Sequence, residues 1–135
     1  MKTTLKITLL LFLSISFSCN DIDLDCLGCQ NDTIGLSKKV IQFSSESNST
    51  TITTKGGDWW LSEINLDGKN VDLSHIQKNA NQFKVETSDF IFERKNAKEI
   101  FIHMNQNLSG KEKKLGVLLT HLNYGAHLNV IQSSN

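Results

Sequence analysis

The three cysteines are the residues best able to do covalent chemistry, and all lie near the amino terminus, at positions 19, 26 and 29. The two-residue gap between Cys26 and Cys29 suits a tight disulfide, a redox site or half of a zinc site. Neighbouring aspartates disfavour a redox thiolate, and the histidines lack the H-x3-5-H spacing that would complete a zinc site. We expect a disulfide or two free thiols, with redox and metal chemistry as the alternatives.

Trp59 and Trp60 are the residues best suited to bind a ligand. An exposed indole can stack on a sugar ring, and the carboxylate of Asp58 beside it could accept hydrogen bonds from sugar hydroxyls. Because adjacent strand residues point to opposite faces, the two indoles cannot both enter one core. The interpretation we favour is that one fills the core while the other is covered by the tether or a loop, and glycan stacking is the alternative.

No group of residues points to catalysis. The sequence has no HExxH, G-x-S-x-G or Walker motif. Its carboxylates are dispersed around predicted strands and turns, without a pair at the separation that glycoside hydrolysis needs. The carboxylates in question are Glu63, Asp67, Asp72, Glu86 and Asp89. His103, His121 and His127 lie on or beside predicted strands and are expected to be satisfied surface residues. We therefore expect no enzyme, no cofactor and no metal site.

The amino-terminal residues predict an export signal. Met1 to Lys6 carries two cations and no acid, and the uncharged run from Ile7 to Phe17 is about half the roughly 20 residues of a spanning helix. Ser18-Cys19 then resembles the cleavage site of a bacterial lipoprotein, in which the cysteine receives diacylglycerol and becomes the new amino terminus. This implies a signal over residues 1–18 and lipidation of Cys19. Ser16 departs from the leucine usual in such signals, which leaves ordinary cleavage and release as the alternative.

The residues after Cys19 indicate where the protein is displayed. Residues 20–25, Asn-Asp-Ile-Asp-Leu-Asp, resemble the acidic stretch that directs lipoproteins of the Bacteroidetes to the outer cell surface. The resemblance implies a lipid-anchored outer-membrane protein exposed at the surface, with the membrane as one partner and a glycan or a surface protein complex as another. The whole chain balances 14 cations against 14 acids, so no basic excess favours nucleic acid.

The remaining sequence must position these residues. Residues 19–36 are acidic and lack a sustained period, which predicts a flexible tether. Within it, Asp32-Thr33-Ile34 resembles the Bacteroidetes O-glycosylation site and implies Thr33 as the modified residue. From residue 37 onward, short β-rich runs recur every 8 to 14 residues or so, which predicts an immunoglobulin-like antiparallel β-sandwich over residues 37–135. The runs are centred on residues 40–43, 50–54, 59–64, 71–73, 83–85, 90–92, 100–104, 115–120 and 128–130.

Three stretches resemble one known family. Thr51 to Trp60 is similar to that family's early strand, Gly-rich turn and tryptophan. Residues 90–100 are similar to its middle strand and the turn after it. Asn107 to Glu112, with residues 129–132, is similar to its Asn-x-Ser-Gly loop and a last strand ending in Gln. The family is the BACON domain, a Bacteroidetes-associated, immunoglobulin-like module first proposed to bind carbohydrate.

The resemblance covers residues 37–132 and has two departures. Lysine stands at 113 and 114 where the family usually has an arginine, and Phe90 stands where a tryptophan is common. The family has no known catalytic residues, and its members often separate a membrane anchor from a glycan-acting domain. We therefore expect a non-catalytic, lipid-anchored binding or adaptor module, with a carbohydrate-binding module as the alternative.

Overall fold

The computed structural model describes residues 31–135, so the predicted signal and all three cysteines lie outside the described residues. The part of the chain that it covers is built from strands, without a helix. The strands are β1 (Val40–Phe43), β2 (Asn48–Thr53), β3 (Trp60–Leu66), β4 (Lys69–Asn70), β5 (Phe83–Glu86), β6 (Phe90–Asn96), β7 (Glu99–Met104), β8 (Lys113–His121) and β9 (Tyr124–Gln132). Nowhere in residues 31–135 is there a helix that could cross a membrane.

The strands form two sheets that face each other. One has five strands in the order β1-β9-β8-β3-β4, and the other has four in the order β2-β7-β6-β5. The predicted immunoglobulin-like β-sandwich is confirmed. One pair departs from the antiparallel arrangement, because β1 runs parallel to β9, with Val40 opposite Asn129. The first and the last strand of the sandwich, β1 and β9, therefore lie side by side in the five-stranded sheet.

The core is built from alternate residues of the long strands. Strands β8 and β9 bury every second side chain, as their antiparallel register requires. The opposite sheet contributes the buried rings of Phe90 and Phe92 and the buried side chains of Ile100, Ile102 and Met104. Burying each such large apolar side chain stabilises the fold by about 1.5–3 kcal/mol. The faces that point away from this core are the surfaces available for binding.

Two sequence expectations differ from the structure. Ile34, only 1% exposed, and Leu36 belong to the core, and Leu36 bridges Thr54. The domain boundary predicted at residue 37 thus falls inside a packed segment, because two apolar side chains two residues apart can enter the core together.

The strand expected at residues 71–73 is not formed. Asp67 and Gly68 have φ of 50° and 79°, and this tight turn pairs Leu66 with Lys69, so the hairpin ends at Asn70.

Candidate functional site

The two tryptophans lie in different environments. Trp59 is 2% exposed, and its indole Nε1 donates a hydrogen bond of 3.2 Å to Thr54 Oγ1. Trp60 is half-buried and begins β3, opposite Thr120 of β8. The Trp59 indole therefore cannot stack on a sugar, and of the two only Trp60 is a candidate ligand-stacking residue.

Trp59 is held in place by a buried arginine. The guanidinium carbon of Arg94 lies 3.7 Å from the centre of the Trp59 ring, and the side chain is 1% exposed. Its nitrogens donate to four backbone carbonyls, those of Gly57 (2.5 Å), Trp59 (2.8 Å), Ala80 (3.0 Å) and Ala97 (3.1 Å). Burial lowers the pKa of Arg94, and the nearby charge of Asp58 opposes this shift. An arginine stays charged in proteins, so Arg94 acts as a cationic clamp joining three loops.

The sequence carries a signal for the burial of Arg94 in the alternation of β6. Phe90, Phe92 and Arg94 are alternate residues of β6 and all three are buried. Period-two alternation therefore directs Arg94 into the core with the two phenylalanines.

The outer face of the five-stranded sheet carries a concave surface. A groove of about 310 Å³ crosses its three central strands, β3, β8 and β9. Gly116 of β8 lies between Asn65 of β3 and Asn129 of β9, its partners in register. A Cβ at position 116 would lie 2.8 Å from Asn65 Nδ2, so the missing side chain lets the Asn65 amide lie across the floor. We call this surface the outer groove.

The walls of the outer groove combine apolar surface, including Leu118, with polar side chains of both signs of charge. Glu63, Asp67, Lys114 and His127 line it together with the two asparagines. Glu63 Oε1 accepts a hydrogen bond of 3.4 Å from Asn65 Nδ2. Amide, carboxylate and imidazole groups can each donate to or accept from hydroxyl groups. The groove is therefore equipped to bind a polar, uncharged or weakly charged ligand.

Trp60 lies on the same face as the outer groove, beyond Glu63. A bulge between Leu61 and Glu63 shifts the register, so Trp60 and Glu63 pair with Thr120 and Leu118, which are alternate residues of β8. Alternate strand residues are about 6.6–6.8 Å apart. Trp60 and the outer groove therefore lie along one strip of the sheet face, with Trp60 one pleat repeat beyond the groove residue Leu118.

Most of the carboxylates dispersed around the strands and turns make local contacts. Asp67 Oδ1 accepts a hydrogen bond of 2.8 Å from Lys114 N, and Asp72 Oδ1 accepts one of 2.9 Å from Ser74 N. Asp89 and Glu86 are paired with lysines, Lys113 and Lys84 respectively. The structure brings Glu63 and Asp67 to one groove, a proximity that sequence spacing did not indicate.

The histidines are dispersed over the surface. His103 contacts Asn105 Oδ1 at 2.9 Å, His127 lines the outer groove and His75 is exposed. In the part of the chain that the structure describes, no three His, Cys, Asp or Glu side chains come together as metal ligands would. The Cys26–Cys29 alternatives lie outside that part.

Thr33, the predicted O-glycosylation residue, is exposed beside His121, with its Oγ1 2.9 Å from His121 Nδ1. The preceding Asp32 accepts a 2.6 Å hydrogen bond from Gly35 N, which closes a turn. Burial favours the protonated form of Asp32, but this bond and the Lys39 ammonium outweigh it and lower the Asp32 pKa. The sequence Asp-Thr-Ile thus sits in a fixed turn with its threonine outward.

The Asn-x-Ser-Gly loop is organised by a buried amide. Asn107 Nδ2 donates to Lys111 O at 2.7 Å and to Ser133 O at 2.9 Å, while its Oδ1 accepts from Ser109 N and Oγ. Gln132 is also buried and donates to Glu46 O and Asn105 O, both at 3.0 Å. Asn107 and Gln132 therefore fix the loop against this end of the sandwich, and the outer side of the loop faces solvent.

Comparisons with known proteins bear on the fold alone. No family model matches the sequence, and no curated protein matches it. An NMR structure of a protein from Bacteroides thetaiotaomicron superposes with a TM-score of 0.64 at 13% identity, covering 81% of this chain and 93% of that one. A crystal structure of the titin M3 domain superposes with a TM-score of 0.42 at 12% identity, covering 75% and 97%. At 13% identity, the likeness to the Bacteroides thetaiotaomicron protein shows that this chain shares that protein's fold.

Proposed function

We propose that this chain is a non-catalytic, lipid-anchored binding or adaptor module of the BACON type, displayed outside a Bacteroidetes-type cell. The outer groove is its binding surface. The observation that supports this most directly is the strip of Trp60 and polar side chains on an uncovered sheet face. Arg94 and Trp59 are buried in the core, and the carboxylates outside the groove are engaged in local contacts. This strip is therefore the surface that contacts the ligand.

The position of the chain's described start suits such a display. Thr33 contacts His121, at the β8–β9 hairpin, whereas Asp67 and Lys114 of the groove lie toward the other end of β8. A flexible tether of residues 19–30 would span about 17–21 Å. A lipid on Cys19 would then hold the hairpin end toward the membrane and direct the groove's far end away from it.

The anchor is tested by Cys19→Ala. Each buried acyl methylene contributes about 0.8 kcal/mol, so losing the lipid should move the protein from the membrane fraction to the soluble fraction. Cys26→Ala is the matched control and should remain with the membranes. Membrane retention of Cys19→Ala would contradict the lipid assignment without bearing on the groove.

The second candidate function is carbohydrate binding. It differs from the adaptor function in its ligand, which would be a glycan and not a protein. The observation in its favour is the half-buried Trp60 on the same sheet face as the amide and carboxylate groups of the outer groove, since an indole face packs on the apolar side of a sugar ring. Affinity electrophoresis through gels containing polysaccharides tests it. A retarded chain whose retardation falls with Trp60→Ala, but not with Phe101→Ala on the opposite sheet, supports glycan binding. No retardation by any polysaccharide would favour a protein partner.

A further inference from the structure

The tip of the β8–β9 hairpin combines a strained backbone with an exposed leucine. Leu122 has a φ of 54°, in the left-handed region that bulky residues rarely adopt, and the residue is 71% exposed. The pairing of His121 with Tyr124 fixes the turn between the two strands. A single exposed leucine is common on a protein surface, but one held in such a conformation is not. Because so exposed a side chain gains little packing from the sandwich, the strain points to a contact outside it.

The two ends of the sandwich differ in charge. The loops at the hairpin tip, which we call the cationic end, carry five lysines and three aspartates, whereas the loops of the opposite, acidic end carry one lysine and four acids. Within residues 31–135, only one of the five lysines, Lys39, takes part in an ion pair. This polarity suits a negatively charged surface that faces the cationic end. The cationic end comprises residues 31–39, 54–59, 71–82, 97–98 and 122–123, and the acidic end comprises residues 44–47, 67–68, 87–89, 105–112 and 133–135.

The first described residues lie at the cationic end. Thr33 Oγ1 lies 2.9 Å from His121 Nδ1, next to Leu122 in the chain. The following Ile34 is tied to the same end, because its carbonyl accepts a hydrogen bond of 2.9 Å from Lys55 N. An anchor that precedes residue 31 would therefore hold the cationic end, and not the acidic end, close to a membrane.

We propose that the cationic end docks on the surface of an anionic lipid bilayer, with the side chain of Leu122 inserted among the headgroups. This inference rests on the lipid anchor proposed above and adds a second contact to it. Each lysine held near an anionic surface raises the partition of a protein onto that surface about fivefold. Burial of the leucine side chain raises it about tenfold. The anchor keeps the domain near the bilayer, so this contact need only set the domain's orientation.

The docked orientation would leave the outer groove open. The strands run from one end of the sandwich to the other, so docking by the cationic end stands them upright on the bilayer. The four acids of the acidic end would be repelled by the same surface, which favours the same orientation. The groove lies on a sheet face between the two ends and would therefore face sideways, into solvent.

The strain at Leu122 is tested by Leu122→Gly. Glycine adopts a positive φ without steric cost, so the melting temperature of the full chain should rise by about 3–6 °C. Leu108→Gly, at a residue that is 73% exposed and for which no positive φ is found, is the matched control and should not raise it. An unchanged or lower melting temperature for Leu122→Gly would remove the strain and overturn the proposal.

Quenching of tryptophan fluorescence by brominated lipids tests the contact itself. The full chain, purified with its anchor, is mixed with vesicles of brominated phosphatidylcholine and phosphatidylglycerol, and the vesicles are collected by flotation. Leu122→Trp should be quenched more than the parent chain, whose two tryptophans give the baseline. Leu108→Trp, at the acidic end, should be quenched no more than the parent. Equal quenching of the two variants, or excess quenching of neither, overturns the proposal.

Flotation separates a failure of this contact from a failure of the anchor. A parent chain that floats with the vesicles, together with a Leu122→Trp variant that shows no excess quenching, keeps the anchor and refutes the contact. A parent chain that does not float refutes the anchor, and the contact falls with it.

The role of the lysines is tested in the Leu122→Trp background. Adding Lys38→Glu and Lys98→Glu, two exposed positions at the cationic end, should reduce the excess quenching at least about twofold. The matched control adds Lys69→Glu and Lys111→Glu, which are exposed away from the cationic end, and should leave the excess quenching unchanged. Replacing phosphatidylglycerol with unbrominated phosphatidylcholine should have the same effect as the first pair. Excess quenching that is insensitive to both the first pair and the lipid charge overturns the assignment to an anionic surface.

Discussion

Replacing Arg94 with methionine should destabilise the domain more than any surface substitution. Methionine fills a similar length and can contact the Trp59 ring, but it cannot donate to the four carbonyls that Arg94 now binds. The Trp59 carbonyl bond is fully buried, and an orphaned buried acceptor costs about 1–3 kcal/mol. The other three acceptors are partly buried and can regain water, at about 0.5 kcal/mol each.

The loss of the cation–π contact adds about 1 kcal/mol after the sulfur–aromatic contact is subtracted. The expected total is about 3.5–5.5 kcal/mol, against the roughly 5–15 kcal/mol that typical domains have. Urea unfolding followed by tryptophan fluorescence measures it. Arg94→Lys keeps the charge without the fork of donors and should lose roughly half as much. Lys95→Met, the exposed neighbour paired with Glu93, is the matched control and should lose less than about 1 kcal/mol.

A loss below about 1 kcal/mol for Arg94→Met would refute the reasoning, because the four carbonyls would then not depend on the guanidinium. A loss equal to that of Lys95→Met would have the same meaning. A change in the slope of the unfolding curve would be read separately, since it reports on the exposed surface and not on the contact.

Two further predictions concern the other buried polar contacts. Asn107→Ala removes both hydrogen bonds that tie the loop to Lys111 O and Ser133 O, and should lower the free energy of unfolding in urea by about 1–3 kcal/mol. The control Gln106→Ala, at an exposed position, should lower it by less than about 0.5 kcal/mol. Equal effects would contradict the role of Asn107. The hydrogen bond and charge of Lys113 hold the pKa of Asp89 below its ordinary 3.8. A lowered pKa in the folded state contributes stability that is present above pH 3.8 and is lost as the pH falls below that value. Asp89→Asn should therefore be less stable than the parent protein at pH 7, and the difference in stability should shrink on acidification below pH 3.8. A difference that grows on acidification would contradict this sign.

Much of the fold followed from local patterns. Strands β7 and β9 could be placed from apolar residues at alternate positions, β8 from the apolar run Leu115 to Thr120, and the Asp67-Gly68 turn from its residues alone. Ile34 and Leu36 were assigned to the tether because two apolar residues are too few to show a period. Their burial depends on the Thr54 bridge, a contact between segments.

The proposed binding face could not be predicted, since it depends on register. Asn65, Gly116 and Asn129 come from three strands and meet only through pairing across the sheet. The outward direction of Trp60 follows from its place opposite Thr120, and the bulge after Leu61 sets the distance from Trp60 to the groove. The sequence identified the indoles as ligand-binding candidates, and the structure selected Trp60 by burying Trp59 under Arg94.

The central proposal, that the outer groove is the binding surface, is tested most directly by photo-crosslinking in the cells that produce the protein. A photoreactive amino acid at His127, in the groove, should form a covalent adduct with a glycan or a surface protein. The same group at Lys84, exposed on the opposite sheet, should form none. Adducts from position 127 and not from position 84 are the predicted result. Adducts from position 84 alone, or from neither position, would contradict the account.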